Sequence, residues 1–411
     1  RTPVVFVIGR AGTGKSHFIR SLVEADPQYP QAVLAPTGLA AMNIGGQTLH
    51  SLFRLGAKLM LKAELSKHKC PNQALFDALE ILVIDEISML RADLLDAIDQ
   101  LLRTWRQKNV PFGGVMVIGC GDLLQLPPVI GRDEAEVYFR MYPSPWFFYS
   151  HVMAEVDSKM IELTKLYRQQ DPVFLDALKR IRENNNHRDS VALINRNCFR
   201  DISPDFRPEL ILCARNDRAD YINKSHLDAI TGDAKTYTGE VTGNINIRSR
   251  LPAPMELVLK VGCRVMVTKN IDGAVNGQLG TVKTLHLESV EVVLDTGVTL
   301  DIEKAEWEQV KYRLDGMTGE IITDSGKDSY KQIPLCLGFA VSIHKSQGLT
   351  LNSVLIDLGE NKAFASGMTY TALSRCKSID GIKLARPISM GDVLTDRNIL
   401  AFYDAIRKQA A

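Results

Sequence analysis

The nine residues GRAGTGKSH, from Gly9 to His17, constrain the fold more than any other stretch of the sequence. They follow the apolar run Val4 to Ile8, which is typical of a buried strand. They also satisfy the pattern G-x-x-x-x-G-K-[ST], in which glycines let backbone N–H groups turn toward phosphates and the next helix directs its positive end at them. The stretch therefore predicts a nucleoside triphosphate site at the end of the first strand.

Each position of this loop has an expected task. Lys15 reaches the β- and γ-phosphates, and the hydroxyl of Ser16 binds Mg²⁺. The other residues expected to line the nucleotide are Gly9, Ala11, Gly12, Thr13, Gly14 and His17. The loop alone leaves open what the energy of the triphosphate drives.

Two later strands end in polar residues that suit phosphate chemistry. The strand at 81–86 ends in Asp85 and Glu86. Asp85 would hold Mg²⁺ directly or through water, and Glu86 would orient or deprotonate the attacking water. Gln125 follows the next strand, where it can position water and respond to the γ-phosphate. A turn closed by the two prolines that follow Gln125 would explain this part of the sequence equally well, and such a turn is compatible with a γ-phosphate sensor at Gln125.

The alternation of apolar strands and helical patterns predicts an α/β fold with parallel sheets. Buried strands are expected at 4–9, 31–36, 81–86 and 115–122, and an amphipathic helix at 94–105. A second α/β pattern starts near Ile161 and resumes at about 335. Between them, 257–333 contains short strands with Gly and Asp turns, which predict a small antiparallel β unit inserted in the second pattern.

Composition limits the class of protein. A chain of 411 residues suggests two or three domains, and its formal net charge of +1 argues against a surface coated with nucleic acid but leaves a locally basic channel open. The seven scattered cysteines include no C-x-x-C pair, which predicts reduced thiols, no zinc site and an intracellular protein. No apolar stretch approaches membrane-spanning length. Because a native chain rarely starts two residues before a strand, we expect further residues upstream of Arg1.

Several polar residues outside the nucleotide loops are candidates for contact with a nucleic acid backbone. Hydroxyls and backbone N–H groups among small residues suit phosphodiester oxygens. The candidates are Thr37, Gly38, Asn43, Thr48, His50, His344 and Lys345. Structural, hydrogen-bonded roles for the two histidines and a solvated surface position for Lys345 are the alternatives.

Other conspicuous side chains have ordinary structural explanations. The aromatic residues expected in cores rather than under bases are Trp146, Phe147, Phe148 and Trp307. The basic residues expected on the solvent face of a helix are Lys179, Arg180 and Arg182.

Seven stretches together resemble the Pif1 family of superfamily 1B helicases. In chain order they are GRAGTGKS, TGLAAMNIGGQTLHSL, VIDEISML, PFGGVMVIGCGDLLQLPPV, LYRQ, SIHKSQGLTL and YTALSRC. The resemblance extends from Gly9 to about Gly381. It is specific, because PFGG before GDLLQLPP, and NIGGQTLHS, are not shared by P-loop proteins generally.

The resemblance implies two RecA-like domains with ATP between them and an SH3-like insertion. The implied boundaries are 1–160 for domain 1A, 161–256 and 334–411 for domain 2A, and 257–333 for the SH3-like domain 2B. A small insertion at about 53–77 of domain 1A matches a segment thought to act as a wedge.

The resemblance also carries over residue by residue. Lys15 and Ser16 match the phosphate loop, Asp85 and Glu86 the Mg²⁺-binding and water-activating acids, and Gln125 the γ-phosphate sensor. Arg168 and Arg375 match arginines that add positive charge to the transition state, and Gly348 is assigned to the nucleotide site. NIGGQTLHS and SIHKSQG match segments that contact single-stranded DNA.

The activity implied is that of an ATP- and Mg²⁺-dependent 5′-to-3′ DNA helicase. Its implied partners are single-stranded, forked or G-quadruplex DNA, bound by a monomer, in replication, repair, recombination or telomere maintenance. The compartment would be the cytoplasm or nucleoid in a bacterium or phage, and the nucleus or mitochondrion in a eukaryote. Preference for RNA, and a regulatory subunit with an inactive phosphate site, are the alternatives. Family members usually read adenine with a glutamine-containing segment before the first strand. This sequence begins too late to show that segment.

Overall fold

The computed structural model describes residues 3–25, 29–37, 40–41, 44–56, 59, 65, 67–131, 134–200, 206–243, 251–308, 311–314, 321–324, 328–360 and 363–410. The chain forms two compact units. Unit 1 comprises Arg1–Tyr167, Val310–Asp324 and Thr395–Ala411, and unit 2 comprises Arg168–Gln309 and Ser325–Leu394. In the described ranges, no helix has both the length and the apolar character that crossing a membrane requires.

Unit 1 is built on a sheet of six parallel strands. They are β1 (Pro3–Gly9), β2 (Gln31–Ala35), β3 (Gln47–Thr48), β4 (Ile81–Ile84), β5 (Met116–Gly121) and β6 (Asp157–Leu163). Their order in the sheet is β3-β2-β4-β5-β1-β6. The central strands are nearly continuous apolar runs because helices cover both faces of the sheet. The four strands predicted from the sequence are all present in this sheet.

The structure describes ten α-helices in these ranges. They are α1 (Lys15–Ala25), α2 (Leu49–Leu52), α3 (Gln73–Ala78), α4 (Ala92–Trp105), α5 (Ala135–Met141), α6 (Pro172–Glu183), α7 (Arg188–Cys198), α8 (Asn216–Ala229), α9 (Met368–Leu373) and α10 (Arg397–Ala410). Short 3-10 turns cover Ile87–Met89, Pro111–Gly114, Phe147–Tyr149, His151–Ala154 and Met390–Asp392. Helix α4 confirms the predicted amphipathic helix, since its apolar stripe is buried from Leu94 to Trp105.

The last helix packs on unit 1. Ile399 and Tyr403 of α10 belong to the hydrophobic core of unit 1. The rings of Phe148 and Phe402 are stacked with centroids 4.2 Å apart, and Trp146 Nε1 donates to Asp396 Oδ2 at 2.6 Å. The structure thus differs from the expected domain 2A, which extended to residue 411. The aromatic residues at 146–148 do pack into a core, as predicted, and they form part of the surface that α10 covers.

The first domain boundary also differs from the expectation. Ile161 was expected to start the second α/β pattern, but it lies in β6. That strand pairs in parallel with β1, with Val7 opposite Ile161. The first segment of unit 1 therefore ends at Tyr167 rather than at 160.

The remaining strands form one parallel sheet and several antiparallel sheets. They are β7 (Leu210–Cys213), β8 (Lys235–Thr238), β9 (Glu240–Thr242), β10 (Glu256–Leu259), β11 (Arg264–Val267), β12 (Leu279–Leu285), β13 (Ser289–Leu294), β14 (Thr299–Glu303), β15 (Ala305–Glu308), β16 (Lys311–Leu314), β17 (Ile321–Asp324), β18 (Ser329–Gln332), β19 (Leu335–Leu337), β20 (Ala340–Ser342), β21 (Val354–Asp357) and β22 (Ile382–Leu384). The parallel sheet of unit 2 has the order β20-β7-β21-β22.

The antiparallel part agrees with the predicted β insertion in outline. Its main sheet has the order β14-β13-β12-β11-β19, and smaller sheets are β15-β18-β9, β10-β8 and β16-β17. It begins at Lys235 and reaches Leu337, a little beyond the expected limits on both sides. Trp307 is 6% exposed and stacks on Tyr330, so it is a core residue as predicted. The β16-β17 hairpin groups with unit 1.

Candidate functional site

The loop between β1 and α1 has a backbone suited to holding an anion. Gly12 and Gly14 have φ angles of +81° and +84°, a left-handed region that glycine adopts without steric cost. Helix α1 begins at Lys15, so the unpaired N–H groups of its first turn face the loop. Lys15 Nζ donates to the carbonyl oxygens of Gly9 and Arg10, each at 3.0 Å. A phosphate can replace these neutral acceptors of the ammonium group.

Neighbouring residues fix the shape of this loop. Thr13 Oγ1 donates to the carbonyl oxygen of Arg10 at 2.9 Å. A Cβ atom on Gly9 would lie 2.4 Å from that Oγ1, which explains why glycine occupies the end of β1. The backbone N–H of Tyr167 donates to the carbonyl oxygen of Gly12 at 2.9 Å, and a Cβ on Gly14 would lie 3.9 Å from the Tyr167 ring. Tyr167 is 65% exposed, and the sequence analysis missed it.

The other predicted residues of the loop occupy two environments. Ala11 and Thr13 are buried, whereas Gly14, Ser16 and His17 are exposed. The structure therefore leaves the Ser16 hydroxyl available to a ligand, and it places the predicted loop residues between the last residue of β1 and the first turn of α1.

Asp85 lies immediately after β4, and only 6% of it is exposed. Its carboxylate accepts a hydrogen bond from the N–H of Glu86 at 2.9 Å. Burial raises the pKa of Asp85, while this hydrogen bond and the positive charge of Lys15 oppose the rise. Glu86 has φ +49°, a left-handed conformation that is uncommon outside glycine. The backbone is thus strained at Glu86, the residue predicted to orient or deprotonate the attacking water, as is frequent at functional sites.

Gln125 is also buried, with 5% exposure. Its Nε2 donates to Asp122 Oδ2 at 3.1 Å, and Asp122 Oδ1 accepts from the N–H of Leu124 at 3.3 Å. Asp122 therefore orients the amide of Gln125, a role that the sequence analysis did not assign. The signal for this role in the sequence was an acidic residue three positions before Gln125.

A buried thiol shows that these strand ends converge. Burial raises the pKa of Cys120 in β5, and the charges of Asp85, Lys15 and Glu86 also act on it. Strands β4, β5 and β1 are also neighbours in the sheet, so the groups that follow their ends lie along one edge. This is the edge of a parallel sheet at which ligands bind.

The donor set of this site suits Mg²⁺. Ser16 offers a hydroxyl and Asp85 a carboxylate, and hard cations prefer such oxygen ligands. Within the described part of the chain, no group of three or more His, Cys, Asp or Glu side chains could hold a metal by itself. That pattern fits an ion that completes its coordination with substrate phosphates and water.

In unit 2, Arg375 lies just after α9 and is 2% exposed. Its Nε donates to the carbonyl oxygen of Thr371 at 2.9 Å, and Nη2 donates to Ser374 Oγ at 2.8 Å. Nη1 donates to the carbonyl oxygen of Ser346 at 3.4 Å. The guanidinium group is therefore held from three sides in one orientation.

Arg168 lies close to Arg375 in the same unit. It donates from Nη1 to the carbonyl oxygen of Ser374 at 3.1 Å and from Nη2 to that of Gly348 at 3.4 Å. Burial, followed by the positive charge of Arg375, lowers the pKa of Arg168 to about 9. These two acceptors of Arg168 are neutral carbonyls, so they leave its charge uncompensated. An anion near the two guanidinium groups would relieve their repulsion.

Gln169 is a second residue that the sequence analysis missed. Its side chain is buried, and Nε2 donates at 2.9 Å to the carbonyl oxygens of both Ser374 and Cys376. These carbonyls flank Arg375 in sequence, so Gln169 fixes the backbone that carries this arginine. The signal for Gln169 in the sequence was only that a polar residue directly follows Arg168.

The threonines among the predicted DNA contacts already have local hydrogen bonds. Thr37 Oγ1 accepts from the N–H of Ala40 at 3.2 Å. Thr48 caps helix α2 by accepting from the N–H of Ser51 at 3.1 Å. Two further predicted contacts, Gly38 and Asn43, lie outside the described residues.

His50 has the environment of a structural histidine. Burial lowers its pKa, and hydrogen bonds with the backbone of Leu55 and Gly56 oppose this. Its Nδ1 is buried and has no hydrogen-bond partner among the residues that the structure describes. The structure therefore supports the alternative reading of His50 as a residue that shapes the loop after α2.

His344 and Lys345 lie in the turn that follows β20, and both are half-buried. The carbonyl oxygens of Ser346 and Gly348 in this turn are the acceptors for Arg375 and Arg168. Gly348 has φ +86°. The structure thus links the predicted DNA-binding turn to both predicted phosphate-binding arginines within unit 2.

One prediction about surface charge was wrong. Arg182 was expected on the solvent face of α6, but it is 5% exposed and lies over the ring of Tyr370 at 5.8 Å. Its cationic head is accommodated by an aromatic face of α9, which a charge pattern along one helix does not reveal.

The sequence and the structure can be compared with known proteins. A family profile described as PIF1-like helicase matches residues 1–195. The human ATP-dependent DNA helicase PIF1 is 33% identical, and the alignment covers 98% of this chain and 61% of the human protein. The ATP-dependent DNA helicase Pif1 of Bdellovibrio bacteriovorus is 30% identical, with 97% of this chain and 88% of that protein covered.

Solved structures give the same result. Bacteroides Pif1 in complex with ADP-AlF4 matches with a TM-score of 0.87 and 34% identity, covering 99% of this chain and 94% of that one. Bacteroides Pif1 bound to ssDNA matches with a TM-score of 0.73. These matches confirm the α/β fold class predicted from the sequence. The chain spans about three fifths of the length of its vertebrate relatives. From the fold, the site and the extent of these matches, the chain belongs to the family of PIF1-like helicases.

Proposed function

We propose that this chain is the motor of an ATP-dependent DNA helicase. The observation that carries the proposal is that Lys15, Asp85 and Gln125 follow the ends of β1, β4 and β5, which are neighbouring parallel strands of unit 1. That arrangement suits hydrolysis of a nucleoside triphosphate. The names of the human and Bdellovibrio relatives, both ATP-dependent DNA helicases, support ATP as the fuel and DNA as the substrate.

The proposed chemistry assigns a task to each residue of the phosphate site. Lys15 leaves its carbonyl partners and binds the β- and γ-phosphates. Ser16 and Asp85 would hold Mg²⁺, which would supply positive charge to the phosphates. Glu86 orients or deprotonates the attacking water, and Gln125, aligned by Asp122, positions that water.

Arg168 and Arg375 are proposed to stabilise the transition state. Their guanidinium groups are already oriented by backbone carbonyls, so little reorganisation accompanies the reaction. Negative charge that develops on the transferred phosphate would relieve the repulsion between the two arginines. Gly348 belongs to this nucleotide site through its carbonyl contact with Arg168.

The proposed DNA grip uses backbone groups and small residues. The relative from Bacteroides has been solved bound to ssDNA. The residues proposed to contact the DNA strand are Thr37, Gly38, Asn43, Thr48, His344 and Lys345, and His50 is proposed to lie beside them. Because the turn after β20 bonds both arginines, a change at the phosphate can move this turn and alter its hold on DNA. His50 would then act by shaping its loop rather than by direct contact.

Finer properties follow from the resemblance alone. They are 5′-to-3′ movement, action on forked or G-quadruplex DNA, a monomeric motor, a role in replication, repair, recombination or telomere maintenance, and an intracellular location. The segment at 53–77 is proposed to separate the strands. The rate of ATP hydrolysis with different nucleic acids tests whether the chain is a DNA-dependent motor, and this test comes before a test of any of these properties.

The test measures ATP hydrolysis with no nucleic acid, with single-stranded DNA, with blunt duplex and with RNA of the same sequence. Strong stimulation by single-stranded DNA, absent in Lys15→Ala, is the expected result. Unwinding of 5′-tailed against 3′-tailed duplexes then determines the direction. Turnover that is indifferent to DNA would refute the helicase assignment, and stronger stimulation by RNA would transfer it to an RNA motor.

A further inference from the structure

A backbone bridge lies beside Arg375 in unit 2, formed by residues to which the proposed function gives no task. Leu351 forms a parallel bridge with Cys376. The N–H of Leu351 donates to the carbonyl oxygen of Arg375 at 2.9 Å, and the N–H of Lys377 donates to the carbonyl oxygen of Leu351 at 3.0 Å. The main chain that follows Arg375 is therefore paired with the segment that leaves the turn after β20.

Asn352, the residue after this bridge, has hydrogen bonds at both of its backbone groups and at both ends of its side-chain amide. Its N–H donates to Glu209 Oε2 and its Nδ2 donates to Glu209 Oε1, each at 2.7 Å. Its Oδ1 accepts from Lys377 Nζ at 2.8 Å, and its carbonyl oxygen accepts from Cys376 Sγ at 3.3 Å. A carboxylate only accepts hydrogen bonds, and an ammonium group only donates them. An amide suits both neighbours because it donates at one end and accepts at the other.

Glu209 is itself fixed to the parallel sheet of unit 2. It directly precedes β7, and its N–H donates to Ser353 Oγ at 3.1 Å. Because Asn352 and Ser353 are adjacent, Glu209 accepts from one and donates to the other. Strand β21 then begins at Val354 and pairs with β7, with Val354 opposite Leu210. The two oxygens of the Glu209 carboxylate therefore meet Asn352 from a position that the central strands of the sheet determine.

The main chain is closely packed at Asn352. A Cβ atom on Gly381 would lie 1.9 Å from the carbonyl oxygen of Asn352 and 2.8 Å from Cys376 Sγ. The absence of a side chain at Gly381 therefore lets these segments approach one another. Asn352 itself is exposed to solvent. Replacing its side chain should consequently leave the protein folded, because solvent can reach the groups that lose their partner.

Arg375 is attached to the segment 343–351 at two points. Its Nη1 donates to the carbonyl oxygen of Ser346, and its own carbonyl oxygen accepts from the N–H of Leu351. The first contact holds the guanidinium group and the second holds the main chain, so the direction of the side chain depends on both. Asn352 secures the second point, because its amide bonds Lys377 to the segment that carries Leu351.

We propose that Asn352 is a positioning residue for Arg375, and that it acts by fixing the main chain after this arginine relative to Glu209. A guanidinium group that stabilises a transition state must be held in place before the reaction, and a displacement of about 1 Å can cost on the order of a hundredfold in rate. The inference rests on the proposed function, because Arg375 has a transition state to stabilise only if the protein hydrolyses ATP. Loss of the positioning should lower kcat and leave the KM for ATP, which we assign to the phosphate loop of unit 1, little changed.

The test uses Asn352→Asp, alone and combined with Glu209→Gln. Aspartate keeps the size of the side chain and the acceptor for Lys377, but it sets a second carboxylate against Glu209 with no side-chain donor between them. In the double variant, the glutamine amide can accept from the N–H of residue 352 and donate to the new carboxylate, which restores the pattern of hydrogen bonds. The matched control is Asn185→Asp, which makes the same chemical change at an exposed position after α6.

The measurements are kcat and KM for ATP with saturating single-stranded DNA, at a temperature where thermal unfolding shows every variant to be folded. Asn352→Asp should lower kcat about tenfold with KM within about twofold, and the double variant should recover kcat to within about threefold of the unmodified protein. Asn185→Asp should match the unmodified protein. Because all variants are folded, recovery through Glu209→Gln reports the position of Arg375 rather than the folded fraction.

Full kcat in folded Asn352→Asp would overturn the inference, as would a loss of kcat that Glu209→Gln does not reverse. If Asn352→Asp does not fold, Asn352→Ala takes its place, because it removes both side-chain contacts without adding a charge. Asn352→Ala should lower kcat in the same direction, and full kcat in that variant would equally overturn the inference. An unmodified protein whose ATP hydrolysis does not respond to single-stranded DNA would instead refute the proposed function.

Discussion

Replacing Gln169 by Leu tests whether a buried amide holds Arg375 in its working position. The change preserves approximate size but removes the Nε2 donor, which contacts the carbonyl oxygens of Ser374 and Cys376 at 2.9 Å each. Ser374 keeps one partner, because Arg168 also donates to its carbonyl at 3.1 Å. The carbonyl of Cys376 loses the side-chain donor described for it.

The losses at the Ser374 and Cys376 carbonyls differ in free energy. A buried acceptor left without a partner costs about 1–3 kcal/mol, and a net hydrogen bond is worth about 1 kcal/mol. The free energy of unfolding should therefore fall by about 2–4 kcal/mol. The catalytic effect should exceed what this instability explains, because an arginine displaced by about 1 Å can cost on the order of a hundredfold in rate. We expect kcat to fall by about tenfold or more, with KM for ATP little changed, since the hydrogen bonds of Gln169 go to the backbone that carries Arg375.

Urea unfolding and steady-state ATP hydrolysis on single-stranded DNA measure the two effects. Gln170→Leu is the matched control, because it makes the same chemical change at the next, exposed position. It should leave both quantities unchanged. If Gln169→Leu loses stability but keeps full kcat at a temperature where it is folded, then these hydrogen bonds do not position Arg375 and the reasoning is refuted.

Three further changes test other parts of the structure. Arg375→Lys should lower kcat on the order of a thousandfold while DNA binding, followed by fluorescence anisotropy, persists, because an ammonium group cannot reproduce the three-sided contacts of the guanidinium. Asp85→Asn should abolish Mg²⁺-dependent hydrolysis yet raise the melting temperature at pH 7. Burial raises the pKa of Asp85, so the folded state loses stability as the pH rises above the pKa that Asp85 has in the unfolded chain. The uncharged amide of Asn avoids this loss. Equal melting temperatures of the two proteins would contradict this reasoning. Asp392→Asn should lower the free energy of unfolding by about 3–5 kcal/mol in urea, because the buried carboxylate accepts hydrogen bonds from Arg386 and from both the N–H and Oγ of Ser389. Those hydrogen bonds outweigh burial and lower the pKa of Asp392, so the difference between the two proteins should shrink as the pH falls below the ordinary range for Asp.

The sequence predicted the parts of the fold whose signal is local. Buried parallel strands are short apolar runs, and the strands predicted at 4–9, 81–86 and 115–122 correspond to β1, β4 and β5 in the sheet of unit 1. Parallel strands also bring their carboxyl ends to one edge. For that reason, a residue that comes just after such a run can be assigned to a shared site from its position in the sequence.

The sequence could not show which surface each element covers. Helix α10 has an apolar stripe that predicts burial, but only the structure shows Phe402 stacked on Phe148 of unit 1. Arg182 has the spacing of a solvent-facing residue, yet the ring of Tyr370 lies against it. Both differences concern contacts between residues far apart in the chain, about which periodicity carries no information.

Three side chains of the candidate site in unit 2 hydrogen-bond to the backbone. Arg168, Gln169 and Arg375 all donate to backbone carbonyls, among them those of Ser346 and Gly348 in the turn after β20. A backbone acceptor persists when its side chain is replaced. His344→Ala or Lys345→Ala should therefore change the hold on DNA without moving the arginines. The link between the phosphate-binding arginines and the turn after β20 depends on its donors rather than on the side chains of that turn, so Arg168 and Arg375 are the positions at which substitution should break it.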